Sequence, residues 1–179
     1  DGVQWEQSPL YHNEVLHCYE DVLILASRND IEVPDTILNA VHKMACADLM
    51  WKKPDHKQLL MGDSDDMDIR DYISTAAVLF RDPMLKFGGF PVLDFESVWD
   101  LGIESARLYQ EIEIQEPDFL SGALSDSGNY YLRDKWGEDG SLLHFHCGTM
   151  GAGHGHSDKL HVDLCVGGED VLPDAGRYT

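Results

Sequence analysis

The densest group of reactive side chains lies near the end of the chain, in residues 151–158 (GAGHGHSD). Glycines permit close backbone approach and unusual dihedral angles. His154 and His156 are separated by one residue, so they point to the same side of an extended segment. Together with Asp158 they could bind one metal ion or one substrate. For an arbitrary His-x-His, a turn whose histidines cap backbone groups is the commoner case. The flanking glycines and Asp158 reverse that preference.

A second group surrounds Tyr11, in residues 5–12 (WEQSPLYH). Ser8 as N-cap and Pro9 at the first helical position predict a helix start, so Tyr11 falls in the first turn, where the helix dipole favours negative charge. A phenol with an ordinary pKa of about 10 needs such help to act as a base near neutrality, and a nearby divalent cation would act in the same direction. The alternative is a core tyrosine with a satisfied hydroxyl.

Two further segments carry ionisable side chains. The loop at residues 62–68 (GDSDDMD) fails the EF-hand spacing, because Met67 and Asp68 occupy the positions of an oxygen ligand and a glycine. We interpret it as a solvated loop that caps the next helix, with one aspartate as a candidate for orienting a catalytic group. His144 and His146 alternate on a predicted strand, and for each a cleft-facing and a structural role are equally supported.

The elements that must position these side chains change type along the chain. Apolar residues at helical spacing over 15–26 and 37–49 predict a first helix that starts at Ser8-Pro9 and a second that ends near Pro54, and two further helices are predicted over residues 69–80 and 95–101. Later, glycine-punctuated runs of β-forming residues predict strands over residues 130–133, 142–147, 160–166 and 171–172. Helices first and strands afterwards indicate an α+β arrangement. We place the boundary so that residues 1–115 form a helical domain and residues 116–179 a stranded one.

The charge balance restricts the partners of the protein. The formal net charge of -20 argues against nucleic acid and acidic membranes as partners, and no apolar run reaches the length of a membrane span. A polyanionic substrate would need a local basic cleft, whose candidate residues are Arg70, Arg133, Lys135, Lys159 and Arg177. The four cysteines include no CxxC pair and are interpreted as buried thiols, which weakly favours a reducing compartment.

Together these segments resemble the heparinase II/III family of polysaccharide lyases. The segments that carry the resemblance are residues 1–12 (DGVQWEQSPLYH), 62–65 (GDSD), and 153–158 (GHGHSD) through 172–176 (LPDAG). They cover essentially the whole chain in the family's order. The resemblance implies an incomplete α/α toroid, of which residues 1–115 would be the C-terminal part, followed by the first strands of an antiparallel β-sandwich. Because the chain starts without Met and ends within a predicted strand, we expect it to be a fragment.

The resemblance also implies a reaction and roles for particular residues. Family members cleave the bond on the C4 side of a uronic acid by β-elimination, leaving a 4,5-unsaturated uronate end. Tyr11 corresponds to the family's catalytic tyrosine and His154 to its catalytic histidine, which we expect to face one another over a shared sugar ring. A neutralising Asn or His and one metal ligand would lie outside this chain, so an isolated fragment should be inactive. The predicted substrate contacts are Glu6, His12, Asp65 and Arg133.

His156 and Asp174 match the family's metal ligands, and they would supply two donors of a zinc-like site. We expect a divalent cation, zinc or alternatively calcium, in a structural role that fixes the turn carrying His154. The expected partner is a uronate-containing oligo- or polysaccharide; the sequence does not fix which glycan it is, endo or exo action, or the oligomeric state. The resemblance implies a cell-envelope, periplasmic or secreted location, with the cytoplasm left open.

Two alternatives compete with this interpretation. A cupin-type metalloenzyme is suggested by Gly148, His154, His156 and Gly167, but a cupin needs a glutamate where Leu160 or His161 stands. The other alternative is a non-catalytic carbohydrate-binding or structural sandwich domain, which would bind glycan without forming an unsaturated product.

Overall fold

The structure is a computed structural model, and it describes residues 1–178. Within these residues, a helical layer precedes a sheet. The helices are α1 (Pro9–Arg28), α2 (Asp35–Trp51), α3 (Arg70–Phe80), α4 (Pro83–Gly88), α5 (Phe95–Leu101) and α6 (Glu104–Glu111). The strands are β1 (Ser121–Leu124), β2 (Asn129–Arg133), β3 (Leu142–His146), β4 (His161–Val166) and β5 (Glu169–Leu172). The predicted order of helices followed by strands is confirmed.

Three of these elements were not predicted, each for a local reason. The helix α4 is only 6 residues long, too short for an apolar period to show. The helix α6 is only 8 residues long and buries only Ser105 and Tyr109, so too few apolar positions repeat for a helical period to be recognised. The strand β1 is 4 residues long and contains a glycine, which weakens a strand pattern. The last helix ends at Glu111 and the first strand begins at Ser121, while the domain boundary at residue 115 remains a prediction.

The sheet is an antiparallel meander in which every strand pairs with the next one along the chain, in the order β1-β2-β3-β4-β5. The pairing of β3 with β4 runs from Leu142 opposite Cys165 to His146 opposite His161. The glycine-rich segment is therefore the long connection between these two strands. Its two ends are held together by a hydrogen bond from the Leu160 N–H to the His146 carbonyl, at 2.7 Å.

The core is continuous from the helices to the sheet. Leu16, Leu49 and Ile73, one from each of the three long helices, are at most 1% exposed and pack in the same cluster as Tyr131 and Leu142 of the sheet. Burying a large apolar side chain contributes about 1.5–3 kcal/mol, so this shared cluster holds the sheet against the helices. None of the helices in residues 1–178 is both long and apolar enough to cross a membrane.

Candidate active site

Tyr11 and His154 are stacked against each other. Tyr11 lies in the first turn of α1 and His154 in the connection between β3 and β4, and their ring centroids are 3.4 Å apart with an interplanar angle of 6°. The structure thus brings together two side chains that are far apart in the sequence, both of them half-buried. However, rings in contact leave no space for a sugar between them. The expectation that they face each other across a sugar ring is wrong, and a substrate can reach only the exposed edges of the stack.

The start of α1 is held by the acidic loop. Ser8 is the N-cap residue, as predicted, but its side chain makes no capping hydrogen bond. Instead, the Ser64 hydroxyl accepts from the Leu10 N–H at 3.2 Å and donates to the Met61 carbonyl at 2.8 Å. Ser8 Oγ lies 3.0 Å from the same hydroxyl. The loop therefore satisfies one of the free N–H groups of the helix start and is fastened beside Tyr11.

Asp63 of this loop connects both histidines of the glycine-rich segment. His154 Nδ1 lies 3.0 Å from Asp63 Oδ2, and His156 Nε2 lies 2.9 Å from Asp63 Oδ1. An ionised carboxylate can only accept, so each imidazole donates an N–H. Each also keeps one nitrogen outside these bonds, Nε2 on His154 and Nδ1 on His156. The hydrogen bonds from His154 and then His156 lower the pKa of Asp63, which keeps it ionised.

The backbone around these side chains is closely packed. The Asp63 N–H donates to the His154 carbonyl at 2.9 Å. Gly62 has a φ of +63°, and a Cβ at this position would lie 2.7 Å from the same carbonyl oxygen. Only glycine tolerates both the conformation and the approach. On the opposite side, a Cβ on Gly151 would lie 2.8 Å from the Trp5 carbonyl oxygen, so the turn fits between the acidic loop and the segment before α1.

Two of the predicted substrate contacts lie near the stacked pair. The Glu6 carboxylate borders the glycine-rich turn, since a Cβ on Gly153 would lie 2.8 Å from Glu6 Oε1. Asp65 lies in the acidic loop and pairs with Arg177 at 2.8 Å. Both positions are compatible with contact to a ligand, and both assignments remain predictions.

The other two predicted substrate contacts are corrected by the structure. His12 is 0% exposed; its Nδ1 accepts from the Gln4 N–H at 3.2 Å, and its Nε2 lies 3.1 Å from the Met44 carbonyl. Arg133 is 9% exposed and donates to the Met50 and Lys52 carbonyls at 2.8 and 2.7 Å. Both side chains are committed to hydrogen bonds with the backbone in the protein interior. They are wrong as substrate contacts because neither can reach a glycan from where it lies.

The predicted basic cleft is not assembled either. Arg70 pairs with Asp68, Lys135 with Asp139 at 2.6 Å, and Arg177 with Asp65. Of the five cationic candidates, only Lys159 is exposed without an ion pair among residues 1–178. Among the described residues, Lys159 is therefore the one side chain of these five that is available to pair with a substrate carboxylate.

Beneath the glycine-rich segment lies a buried polar network that the sequence pattern did not identify. His144 Nδ1 lies 2.9 Å from Asp163 Oδ2, and its Nε2 lies 2.9 Å from Asn129 Oδ1. His146 Nδ1 lies 2.8 Å from the same Asn129 oxygen. Both histidines are at most 2% exposed, so the structural alternative holds and the cleft-facing one is wrong. Burial tends to raise the pKa of Asp163, but hydrogen bonding and charge from His144 lower it overall.

The predicted metal ligands, His156 and Asp174, have suitable donor atoms, but each contacts a different side chain. His156 keeps Nδ1 outside its bond to Asp63, whereas Asp174 Oδ2 lies 3.5 Å from His161 Nε2. His161 Nε2 is buried without a hydrogen-bond partner among the described residues, and it also lies 3.2 Å from Asp163 Oδ2. The imidazole nitrogen is a donor that a divalent cation can use, but in the described residues the donor atoms of His156, Asp174 and His161 do not all lie within 4.8 Å of one another, so these side chains would have to move closer to share one ion. His161 is thus a candidate ligand that the sequence analysis missed.

Comparison with known proteins identifies two family models that together span most of the chain. The model described as "Heparinase II/III N-terminus" matches residues 1–86, and the model described as "Heparinase II/III-like, C-terminal" matches residues 117–179. Two curated heparin-sulfate lyases are similar. The one from Pedobacter heparinus is 26% identical over 184 residues and the one from Bacteroides stercoris 23% over 186 residues. In each case the match covers 99% of this chain and 25% of the relative.

Solved structures have the same fold. The crystal structure of the heparan sulfate lyase HepC from Pedobacter heparinus superposes with a TM-score of 0.79 at 24% identity, covering 100% of this chain and 26% of that one. A heparinase III structure superposes with a TM-score of 0.76 at 16% identity. The helices of this chain are accordingly toroid helices, and its strands begin a sandwich. The chain spans about a quarter of the length of these relatives.

Proposed function

Because the chain belongs to the heparinase II/III-like family of polysaccharide lyases, we propose that the protein cleaves a uronate-containing glycosaminoglycan by β-elimination. The observation that carries this proposal is the stacked pair of Tyr11 and His154, with Asp63 bonded to the histidine. The similar heparin-sulfate lyases support a substrate of the heparan sulfate type. The net charge of -20 favours a short or lightly sulfated oligosaccharide over a heavily sulfated chain.

Tyr11 is the group that moves the proton. Its phenolate oxygen removes the C5 proton, the C5–H electrons form the C4–C5 double bond, and the bond from C4 to the bridging oxygen breaks. The phenol then returns the proton to the leaving oxygen, so one side chain acts as base and acid in turn. The product carries a new sugar hydroxyl on one fragment and an unsaturated uronate on the other.

His154 acts through Tyr11. With Nδ1 bonded to Asp63, the imidazole is fixed in orientation and lies flat against the phenol ring. A protonated imidazole next to a carboxylate would stabilise the negative charge that develops on the phenol oxygen. We prefer this role to that of an independent base for the opposite C5 epimer, because a ring stacked on Tyr11 approaches the sugar from the same side.

A divalent cation, zinc or calcium, belongs to the proposal in a structural role. His156 and Asp174 would hold it together with at least one further ligand, for which His161 is a candidate. When bound, the cation would supply charge neutralisation and rigidity at the glycine-rich turn. The proton transfers are assigned to Tyr11 and not to the cation. A cell-envelope or secreted location is proposed with the family assignment.

The proposal is tested with the full-length protein on a panel of uronate glycans, by following the ultraviolet absorbance of the C4–C5 double bond. Tyr11→Phe should lower kcat by about 100- to 10,000-fold, the range that general acid–base catalysis contributes, and His154→Ala should also lower kcat. The matched control is Tyr19→Phe, an exposed tyrosine on the same helix, which should keep the wild-type rate. Full turnover by Tyr11→Phe would refute the assignment. Glycan binding without unsaturated product from the wild-type protein would favour the non-catalytic sandwich domain.

A further inference from the structure

A second group of metal-binding side chains lies away from the stacked pair, on the helical layer. His42 and Cys46 are one helical turn apart on α2, and Asp82 precedes α4. His42 Nε2 lies 2.7 Å from Asp82 Oδ2 and 3.9 Å from Cys46 Sγ, and the three donor atoms all lie within 4.8 Å of one another. Two ligands at positions i and i+4 of a helix present their donors on one face, as helical zinc motifs do.

The arrangement does not suit a cysteine nucleophile. In a nucleophile–histidine–carboxylate triad, the two ring nitrogens of the histidine bond to different partners. Here Cys46 and Asp82 both approach Nε2 of His42. The three donor atoms are instead close enough together for one cation to bind all of them.

Backbone hydrogen bonds fix the Asp82 carboxylate in an orientation that suits cation binding. Its Oδ1 accepts from the Met84 and Leu85 N–H groups at 2.8 and 3.1 Å, which leaves Oδ2 directed at His42. On the other side, the His42 ring packs against Phe80, with centroids 4.9 Å apart. Side chains fixed by packing and backbone hydrogen bonds keep their geometry when a cation is absent, so little ordering is needed on binding.

The donor types and distances indicate which ion fits. Zinc binds imidazole nitrogen and carboxylate oxygen at about 2.0–2.1 Å and thiolate sulfur at about 2.3 Å, with tetrahedral geometry. Those bond lengths place neighbouring nitrogen and oxygen ligands roughly 3.3 Å apart and nitrogen and sulfur roughly 3.5 Å apart. From the observed 2.7 and 3.9 Å, each pair must move by only about half an ångström. A thiolate ligand also favours zinc over calcium or magnesium.

We propose that His42, Cys46 and Asp82 form a binding site for a thiophilic divalent cation of the Zn²⁺ type, with a solvent molecule as the fourth ligand. The side chains of His42 and Asp82 are 35% and 16% exposed, so an ion can enter from solvent. The site is distinct from the structural cation expected at His156 and Asp174, which involves no thiol. A cation here would link α2 to the start of α4 and thereby stabilise the helical layer.

The test uses Co²⁺ as a probe, because a thiolate bound to Co²⁺ gives a charge-transfer absorption in the near ultraviolet that imidazole and carboxylate ligands do not give. Metal-free full-length protein is titrated with CoCl₂. We expect the band to saturate as CoCl₂ is added and to disappear when Zn²⁺ is added. Cys46→Ser should abolish the band. Cys18→Ser, which removes an exposed cysteine of α1, and His156→Ala, at the other site, should both leave it unchanged.

A further variant distinguishes the loss of a metal ligand from the loss of the folded structure. Asp82→Asn retains an oxygen that can accept from the Met84 and Leu85 N–H groups, so the start of α4 is preserved while the anionic ligand is lost. We expect an unchanged circular dichroism spectrum and an affinity for Co²⁺ at least tenfold weaker. The proposal is overturned if the wild-type protein shows no charge-transfer band, if the band survives Cys46→Ser, or if folded Asp82→Asn binds Co²⁺ as tightly as the wild type.

Discussion

Asp63→Asn is the most informative single substitution at the candidate active site. In the structure, the two carboxylate oxygens of Asp63 each accept one imidazole N–H, from His154 at 3.0 Å and from His156 at 2.9 Å. An asparagine has one accepting oxygen and one donating amide group. One of the two histidines must therefore adopt its other tautomer or lose its bond, although the side-chain volume is unchanged.

The expected size of the effect follows from exposure. A hydrogen bond to a charged group contributes about 1.5–3 kcal/mol when it is buried. The Asp63 and His154 side chains are 31% and 34% exposed, so we reduce this to about 1 kcal/mol per bond. Losing one or both bonds then costs about 1–2 kcal/mol, and with about 1.4 kcal/mol per factor of ten, kcat should fall roughly 5- to 30-fold.

The assay compares kcat and KM of the full-length protein by ultraviolet absorbance of the product. Because Asp63 positions His154 and is not itself assigned to the substrate, the loss should appear in kcat, with KM within about twofold of wild type. Asp66→Asn, in the same loop but paired with Lys57, is the matched control, and its kcat should stay within about twofold of wild type. A folded Asp63→Asn variant with wild-type kcat would refute the positioning role.

Three further predictions concern stability and the corrected assignments. Gly62→Ala should lower the free energy of unfolding by about 2 kcal/mol in urea denaturation, because the alanine Cβ meets the His154 carbonyl at a positive φ; an unchanged midpoint would contradict this. Burial raises the pKa of Glu20 well above its ordinary value, so the folded state retains a proton that the unfolded chain releases. The contribution of Glu20 to stability should therefore fall as pH rises from 5 to 8, by at most about 1.4 kcal/mol per unit. Burial also raises the pKa of Asp48, which adds a slope of the same sign, so Glu20→Gln should make the pH dependence of stability shallower than in the wild type; equal slopes would count against it. His12→Ala should cost about 2–3 kcal/mol of stability by leaving a cavity while KM for glycan stays unchanged; a raised KM in the folded variant would restore His12 as a substrate contact.

Local patterns in the sequence drew attention to Tyr11 and His154 separately, but only the resemblance to the heparinase II/III family paired them. A serine and a proline precede the tyrosine at a helix start, and glycines flank the histidine. Such signals depend on backbone conformation within a few residues. Asp63 could not be singled out in the same way. It shares its loop with three other aspartates, and only the tertiary approach of the glycine-rich segment distinguishes it.

The two wrong substrate assignments could have been avoided by following periodicity. His12 lies on the same face of α1 as Leu16 and Leu23, and all three are buried. Successive residues of a helix point about 100° apart, so the neighbouring Tyr11 faces a different direction. Arg133 lies on the same side of β2 as Tyr131, because strand side chains alternate. In both cases the residue type suggested chemistry while its position in the pattern indicated the core. Position was the better guide.

The contacts that form the candidate site are directional hydrogen bonds between the helical layer and the sheet connection. Besides the bonds of Asp63, Gln7 Nε2 donates to Thr149 Oγ1 at 3.0 Å. These bonds hold the two rings in contact at 3.4 Å, so Tyr11 and His154 present themselves to a sugar from one side. A base acting on the opposite C5 epimer would have to approach the other side of that sugar, which requires the stack to open by at least the thickness of a ring. Opening would stretch the hydrogen bonds at Asp63 and expose a phenol no longer next to its imidazole. This geometry supports the proposed elimination, in which Tyr11 would both remove the proton and protonate the leaving oxygen on a single face of the substrate.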